Sequence, residues 1–175
     1  MNLKKEKKVM LLAAKQAARV ILHYYGKKEV IKVKPNKSMV ATADLEANKA
    51  IIKTIKKYFP KHSVLSEETV FEDNKSDYKW VIDPIDGTHN FLHQIPIFGT
   101  SIALEYKNEP VLGVINFPVL CITAVAEKGK GSFMNGKKIK VSDKKTLDHS
   151  FVLFEFSYAN RIEKVGFLEK LVHKT

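Results

Sequence analysis

Asp83 and Asp86 are the residues best suited to chemistry in this chain. They sit in Trp80-Val81-Ile82-Asp83-Pro84-Ile85-Asp86-Gly87-Thr88-His89-Asn90-Phe91. Trp80 to Ile82 is a short apolar run that reads as a buried strand, so both carboxylates fall just after its end. Pro84 fixes a backbone angle between them and removes a donor, which stiffens the turn. Gly87 permits a conformation or a close approach that a side chain blocks. Thr88 brings a hydroxyl to an expected helix start, with residues 89–91 as the first turn. Hard carboxylate oxygens suit Mg²⁺, and the exposed N–H groups of a helix start suit a phosphate. Taken alone, the five residues 83–87 are better explained by a plain surface turn, because Asp-Pro-x-Asp-Gly is good turn chemistry.

Two further acidic positions matter only if the fold brings them to the same place. Glu67 and Glu68 follow an expected strand at 63–66. Adjacent acids repel one another unless a cation or water screens them. A solvated loop accounts for such a pair taken alone. If strands 63–66 and 80–82 are neighbours in one sheet, Glu67, Glu68, Asp83 and Asp86 converge. Asp44 lies in the first turn of an expected helix, where the helix dipole favours negative charge, and a simple terminus carboxylate is the alternative.

The elements that must position these residues can be read from periodicity. Met10, Ala14, Ala17, Ile21 and Tyr25 share one helical face, and Gly26 stops that helix. Residues 27–41 read as a basic connector broken by Pro35 and Asn36. A second helix starts near Thr42 or Ala43, carries Ile51, Ile55 and Tyr58 on one face, and ends at Pro60. Residues 69–79 are polar and read as a loop. Strands are expected at 98–106, 111–117 and 121–127, with a turn at Lys107-Asn108-Glu109. Asn135-Gly136 signals a hairpin between 132–134 and 138–141. Tight turns between consecutive strands imply an antiparallel meander. Lys128-Gly129-Lys130-Gly131 reads as a turn, since no helix follows to make it a phosphate cradle. Residues 150–156 read as a strand and 161–174 as a helix.

Composition sets outer limits. The chain has 175 residues, 45% of them hydrophobic, enough for a packed core. Its formal net charge is +11, with 30 Lys+Arg against 19 Asp+Glu. That surface attracts anions or nucleic acid, but the lysines are spread along the chain and only residues 4–8 are dense, so a solvated basic surface is favoured over a nucleic-acid site. One cysteine, Cys121, rules out an internal disulfide framework and fits a reducing compartment, the cytoplasm. Its apolar neighbours place it in the core. No segment approaches the about 20 apolar residues of a membrane span, and the basic start followed by residues 9–14 lacks a signal peptide's length and cleavage site.

Residues 80–91 resemble the signature of the inositol monophosphatase family, a group of Mg²⁺-dependent, lithium-sensitive phosphatases. Val40-Ala41-Thr42-Ala43-Asp44 and Ser66-Glu67-Glu68 resemble two further family elements. Ala41 stands where Thr is usual, Asn48 where Glu is common, and Ser66 where Gly is usual. The resemblance runs from the first helix to the last. It implies an α+β fold, a layered α/β sandwich of the sugar phosphatase type with helices on a largely antiparallel sheet. It implies a metal-binding portion at 1–148 and, at 149–175, the start of a truncated second α/β portion. A family Trp-Asp element that supplies a further metal ligand is missing, since Trp80 is the only tryptophan.

The resemblance also assigns roles. Glu68, Asp83, Asp86 and the Ile85 carbonyl are the implied metal ligands. Glu68, Thr88 and Asp44 are the implied catalytic residues, with Asp44 holding Thr88. Asp86, Gly87 and Thr88 are the implied substrate-binding residues. The implied cofactor is Mg²⁺ and the implied partners are a small phosphate ester and a second copy of the chain. His89-Asn90-Phe91 looks like the branch that takes inositol or sugar phosphates. The alternatives are a fructose-1,6-bisphosphatase, a 3′(2′),5′-bisphosphate nucleotidase, or a catalytically impaired basic scaffold associated with RNA.

Overall fold

Two long helices lie against one twisted sheet, and the acidic residues gather at the sheet's end. The computed structural model describes residues 2–27, 31–33, 39–147, 165–167 and 169. The chain divides into two units, Met1–Ile139 and Lys140–Thr175. All elements below belong to the first. The strand expected at 150–156 lies outside the described residues, as does most of the helix expected at 161–174; residues 165–167 and 169 are helical.

Helix α1 spans Lys4–Tyr24 and α2 spans Thr42–Tyr58. Met10, Ala14, Ala17 and Ile21 are buried along α1, as their spacing predicts. Gly26 follows at φ +79°, a conformation that costs an L side chain energy. On α2, Ile51 and Ile55 are buried, but Tyr58 is not; Phe59, one residue past the helix, takes the core position. The small residues Ala13, Ala17 and Ala47, all fully buried, accompany the close packing of α1 on α2.

Between the helices, the expected connector contains a short antiparallel pair, β1 (Ile31–Val33) and β2 (Met39–Ala41). Pro35 and Asn36 lie outside the described residues. The main sheet has eight strands: β3 (Ser63–Ser66), β4 (Thr69–Glu72), β5 (Tyr78–Asp86), β6 (Gly99–Tyr106), β7 (Glu109–Phe117), β8 (Ile122–Glu127), β9 (Gly131–Met134) and β10 (Lys137–Ile139). Their spatial order is β10-β9-β8-β7-β6-β5-β3-β4. Every pairing is antiparallel except β3 with β5. This is the α+β arrangement of helices on a largely antiparallel sheet.

Side chains alternate across the sheet. Trp80, Ile82, Ile102, Leu104, Leu112 and Val114 are buried, forming with α1 and α2 a single core. The turn residues Lys107 and Asn108 have φ of +52° and +63°, and Asn135 and Gly136 have +48° and +78°. Positive φ at both central residues marks tight hairpin turns whose twist matches the strands.

Three sequence expectations need correction. The polar stretch 69–79 is not all loop: β4 forms there and β5 begins at Tyr78, because backbone pairing with β3 compensates for weak patterning. The central strand does not stop at Ile82 but runs to Asp86, with a register shift between Asp83 and Asp86 that accommodates Pro84. Cys121 is exposed at φ +53° in the turn before β8, not in the core.

Candidate active site

The decisive local fact is that β3 and β5 are parallel neighbours. Ser66 pairs with Ile82, and beyond that pair the Glu67 N–H bonds the Ile82 carbonyl at 3.1 Å. Glu67-Glu68 therefore leaves the sheet beside Asp83. The two acids themselves form the turn between β3 and β4. Glu67 and Asp83 both line a shallow cavity of about 410 Å³ with Leu65, Val81 and Ser101. Ser66 turns instead toward α2, where its hydroxyl bonds Asn48.

Asp83 carries the clearest electrostatic mark. Its carboxyl is pushed up to about 7, first by burial and then by the charges of Glu67, Asp86 and Glu68, in that order. The Ile85 N–H opposes the shift by bonding the carboxylate. One oxygen, Oδ1, is buried with no hydrogen-bond partner among the described residues. Asp44, 1% exposed, is also raised to about 7. Burial is again the largest cause, the Ala41 N–H opposes it, and Glu68, Asp83 and Glu67 add to it. Both groups thus feel several anions, and among the described residues no cation acts on either.

The five acids share a field without touching a common point. No group of three or more metal-ligating side chains is already gathered around one position among the described residues. The donor set still fits a hard divalent cation, since a buried, unpartnered carboxylate oxygen amid like charges is the environment such an ion relieves.

The bulge positions the rest. The Thr100 hydroxyl, fully buried, donates to the Pro84 carbonyl at 2.9 Å and holds the chain between the two aspartates. Gly87 sits at φ +86°, and a Cβ there would lie 3.2 Å from the Ile97 carbonyl oxygen. Gly87, not Thr88, caps α3 (Thr88–Leu92), and no side chain caps it. Thr88 is the first helical residue, and its hydroxyl donates to the Ile85 carbonyl at 3.0 Å. Asp44 meanwhile accepts the Ala41 N–H at 2.9 Å, so its bond serves the start of α2. Ala41 has no hydroxyl, so only the carboxylate half of a capping box can form.

The Glu67-Glu68 turn after β3 thus lies beside Asp83 of β5, and Asp44 on α2 feels the charges of Glu68, Asp83 and Glu67. The sequence places Glu67 beside the aspartates only if the two strands are neighbours, and the parallel pairing meets that condition. The signal that points to it is register: the residue after a parallel Ser66–Ile82 pair must neighbour Asp83.

Fold and edge together define a class, an α+β protein whose acidic strand ends suit a divalent cation. The chain belongs to the inositol monophosphatase family, whose model matches residues 2–175. A fructose-1,6-bisphosphatase/inositol-1-monophosphatase of Aquifex aeolicus is 38% identical over 162 residues, covering 91% of this chain and 61% of that protein. Nus factor SuhB of Pseudomonas aeruginosa is 34% identical over 163 residues, covering 90% of this chain and 60% of that protein. The crystal structure of extragenic suppressor protein suhB from Bartonella henselae matches with a TM-score of 0.80 at 36% identity, covering 82% of this chain and 57% of that one. The chain thus spans about three-fifths of the length of the curated relatives it matches.

Proposed function

We propose that this chain carries the metal-binding portion of a Mg²⁺-dependent phosphomonoesterase that hydrolyses inositol 1-phosphate or a related sugar phosphate. In this reading residues 1–148 form that portion and 149–175 begin a second α/β portion. The observation that carries it is the unpartnered Asp83 Oδ1 in the field of Glu67, Asp86 and Glu68.

Asp83, Asp86, the Ile85 carbonyl and a carboxylate of the Glu67-Glu68 pair would hold the ion. When bound, it neutralises phosphate charge and lowers the pKa of a nearby water. Phosphate monoesters resist attack because nucleophile and phosphate are both electron-rich, so positioning and charge neutralisation dominate the catalysis. Glu68 accepts a hydrogen bond from the attacking water and orients it in line. Thr88 does the same through its hydroxyl oxygen; its proton is committed to the Ile85 carbonyl, which leaves the lone pairs to accept. Asp44 fixes the start of α2 and adds to the negative field that retains the ion. Gly87, lacking a side chain, lets a phosphate approach the backbone N–H groups of Gly87 and Thr88.

His89-Asn90-Phe91 supports a sugar or inositol phosphate over a 3′-phosphoadenosine nucleotide. The Aquifex relative's name joins two activities, which supports fructose 1,6-bisphosphate as a second substrate of the same site. A basic RNA-associated scaffold is the competing reading, supported by the +11 charge and by relatives named as Nus factors. Among the described residues, no helix is long and apolar enough to cross a membrane. A second copy of the chain is the expected protein partner.

The test is Mg²⁺-dependent phosphate release from inositol 1-phosphate by the purified chain, with Asp83→Asn as control. Activity that survives the substitution sinks the site assignment. Salt-sensitive RNA binding without hydrolysis favours the scaffold.

A further inference from the structure

Asn48, inside α2, and Ser66, at the end of β3, are far apart in sequence, and the fold joins them. Asn48 lies one helical turn beyond Asp44, on the same face of α2, and is 1% exposed. Its Oδ1 accepts the Ser66 hydroxyl at 2.8 Å. Ser66 is the last residue of β3 and 6% exposed. The same hydroxyl oxygen accepts the Glu68 N–H at 3.4 Å.

We propose that Asn48 is a positioning residue for the Glu67-Glu68 turn, acting through Ser66. This rests on the phosphatase reading above for its functional meaning. Two hydrogen bonds run from the interior of α2 to the backbone of the acid pair. On the other side, the Glu67 N–H is held by the Ile82 carbonyl at 3.1 Å. The turn is therefore fastened to β5 through Glu67 and to α2 through Glu68.

The pair needs fastening because its charges act against Asp83 and Asp44 and push the turn away from the edge. The chemistry of both anchors suits the task. Ser66 has one hydroxyl proton; giving it to Asn48 leaves its lone pairs for the Glu68 N–H. Asn48 accepts without bringing a further negative charge beside Asp44. An apolar residue at 48 leaves the buried Ser66 hydroxyl without its acceptor.

The test is amide hydrogen exchange at Glu68 in the 175-residue chain, read by NMR in EDTA, for Asn48→Ala, Ser66→Ala, the double variant and Ser66→Thr. Losing a hydrogen bond of ordinary strength speeds Glu68 exchange by about five- to tenfold in either alanine variant. The double variant exchanges no faster than the quicker single one, and Ser66→Thr, which keeps the hydroxyl, matches wild type. Val64, inside β3, keeps its protection throughout. Mn²⁺ affinity, measured by electron paramagnetic resonance, falls by about tenfold in the alanine variants, as for other residues that orient a metal's ligands. Unchanged Glu68 exchange in Asn48→Ala, or effects that simply add in the double variant, overturn the proposal. If Asn48→Ala does not fold, the contrast of Ser66→Ala with Ser66→Thr decides it. A wild-type chain that binds no Mn²⁺ rejects the phosphatase reading instead, and the exchange data still decide the pairing.

Discussion

Glu67 and Asp83 stand side by side where β3 ends against its parallel neighbour β5, and of the charges acting on Asp83, that of Glu67 is the largest. Burial first, and then the charges of Glu67, Asp86 and Glu68, push the Asp83 carboxyl up to about 7. The strand edge is thus frustrated, and its relief by a divalent ion underlies most of the following expectations.

Removing the charge at 83 should remove the frustration. Asp83→Asn is expected to raise the melting temperature of the metal-free chain at pH 8 and to abolish any further rise on adding Mg²⁺. Thermal melts with EDTA and with Mg²⁺ check this. A variant that melts below wild type in EDTA and still responds to Mg²⁺ contradicts it.

The two acids of the pair should differ. Glu67 acts more on Asp83, and Glu68 more on Asp44. Glu67→Gln is therefore expected to lower the pH at which Asp83 titrates by more than Glu68→Gln does, and Glu68→Gln to do so for Asp44. Carboxyl carbon shifts followed by NMR across pH 4–9 read both. Equal shifts, or the reverse order, count against this division of the two acids between Asp83 and Asp44.

Asp44 gives a pH dependence with a definite sign. Its folded pKa of about 7 lies above the ordinary carboxylate value of 3.8. Between those values the unfolded chain releases a proton that the folded chain keeps. Asp44 therefore lowers stability as pH rises from about 4 to about 7, by on the order of 4 kcal/mol at most, and adds no further slope above that. Asp44→Asn keeps an acceptor for the Ala41 N–H and loses the charge. In EDTA, the variant's melting temperature should gain on wild type between pH 4 and pH 7 and hold a constant lead above. A difference flat across that range refutes the assignment.

Gly99 tests the packing behind the bulge. A Cβ there would lie 2.6 Å from the backbone oxygen of Asn116 on β7. Gly99→Ala must therefore push two paired strands apart, at a cost of about 1–3 kcal/mol. Gly136→Ala meets nothing within 4 Å and strains only the left-handed backbone at φ +78°, a cost of roughly 1–2 kcal/mol. Denaturant titrations should rank Gly99→Ala as the more destabilising of the two.

Most of the element order was legible in the sequence because it rests on local signals. Apolar spacing marks α1 and α2, Gly26 ends the first, and Asn135-Gly136 makes its hairpin. What escaped depends on distant partners. β4 has four exposed residues and exists through its pairing with β3. Tyr58 fits the helical stripe, but the chain leaves α2 so that Phe59 fills the core. Apolar neighbours suggest a buried Cys121, yet the turn before β8 turns it outward.

The site divides in the same way. Asp83, Asp86, Gly87 and Thr88 are contiguous and visible as a group, whereas Glu67 gains its place only through a parallel pairing that no short-range pattern encodes. The hydroxyl of Thr88 reads as a helix cap, but the left-handed Gly87 takes that position and frees the hydroxyl for the Ile85 carbonyl.

Mn²⁺ binding, titrated by electron paramagnetic resonance on the wild-type chain and on Asp83→Asn, tests the acidic strand edge most directly. Saturable binding of one ion or more by wild type, lost in Asp83→Asn while the variant stays folded, is the expected result. No saturable binding by a folded wild-type chain, or undiminished binding by the variant, contradicts the account.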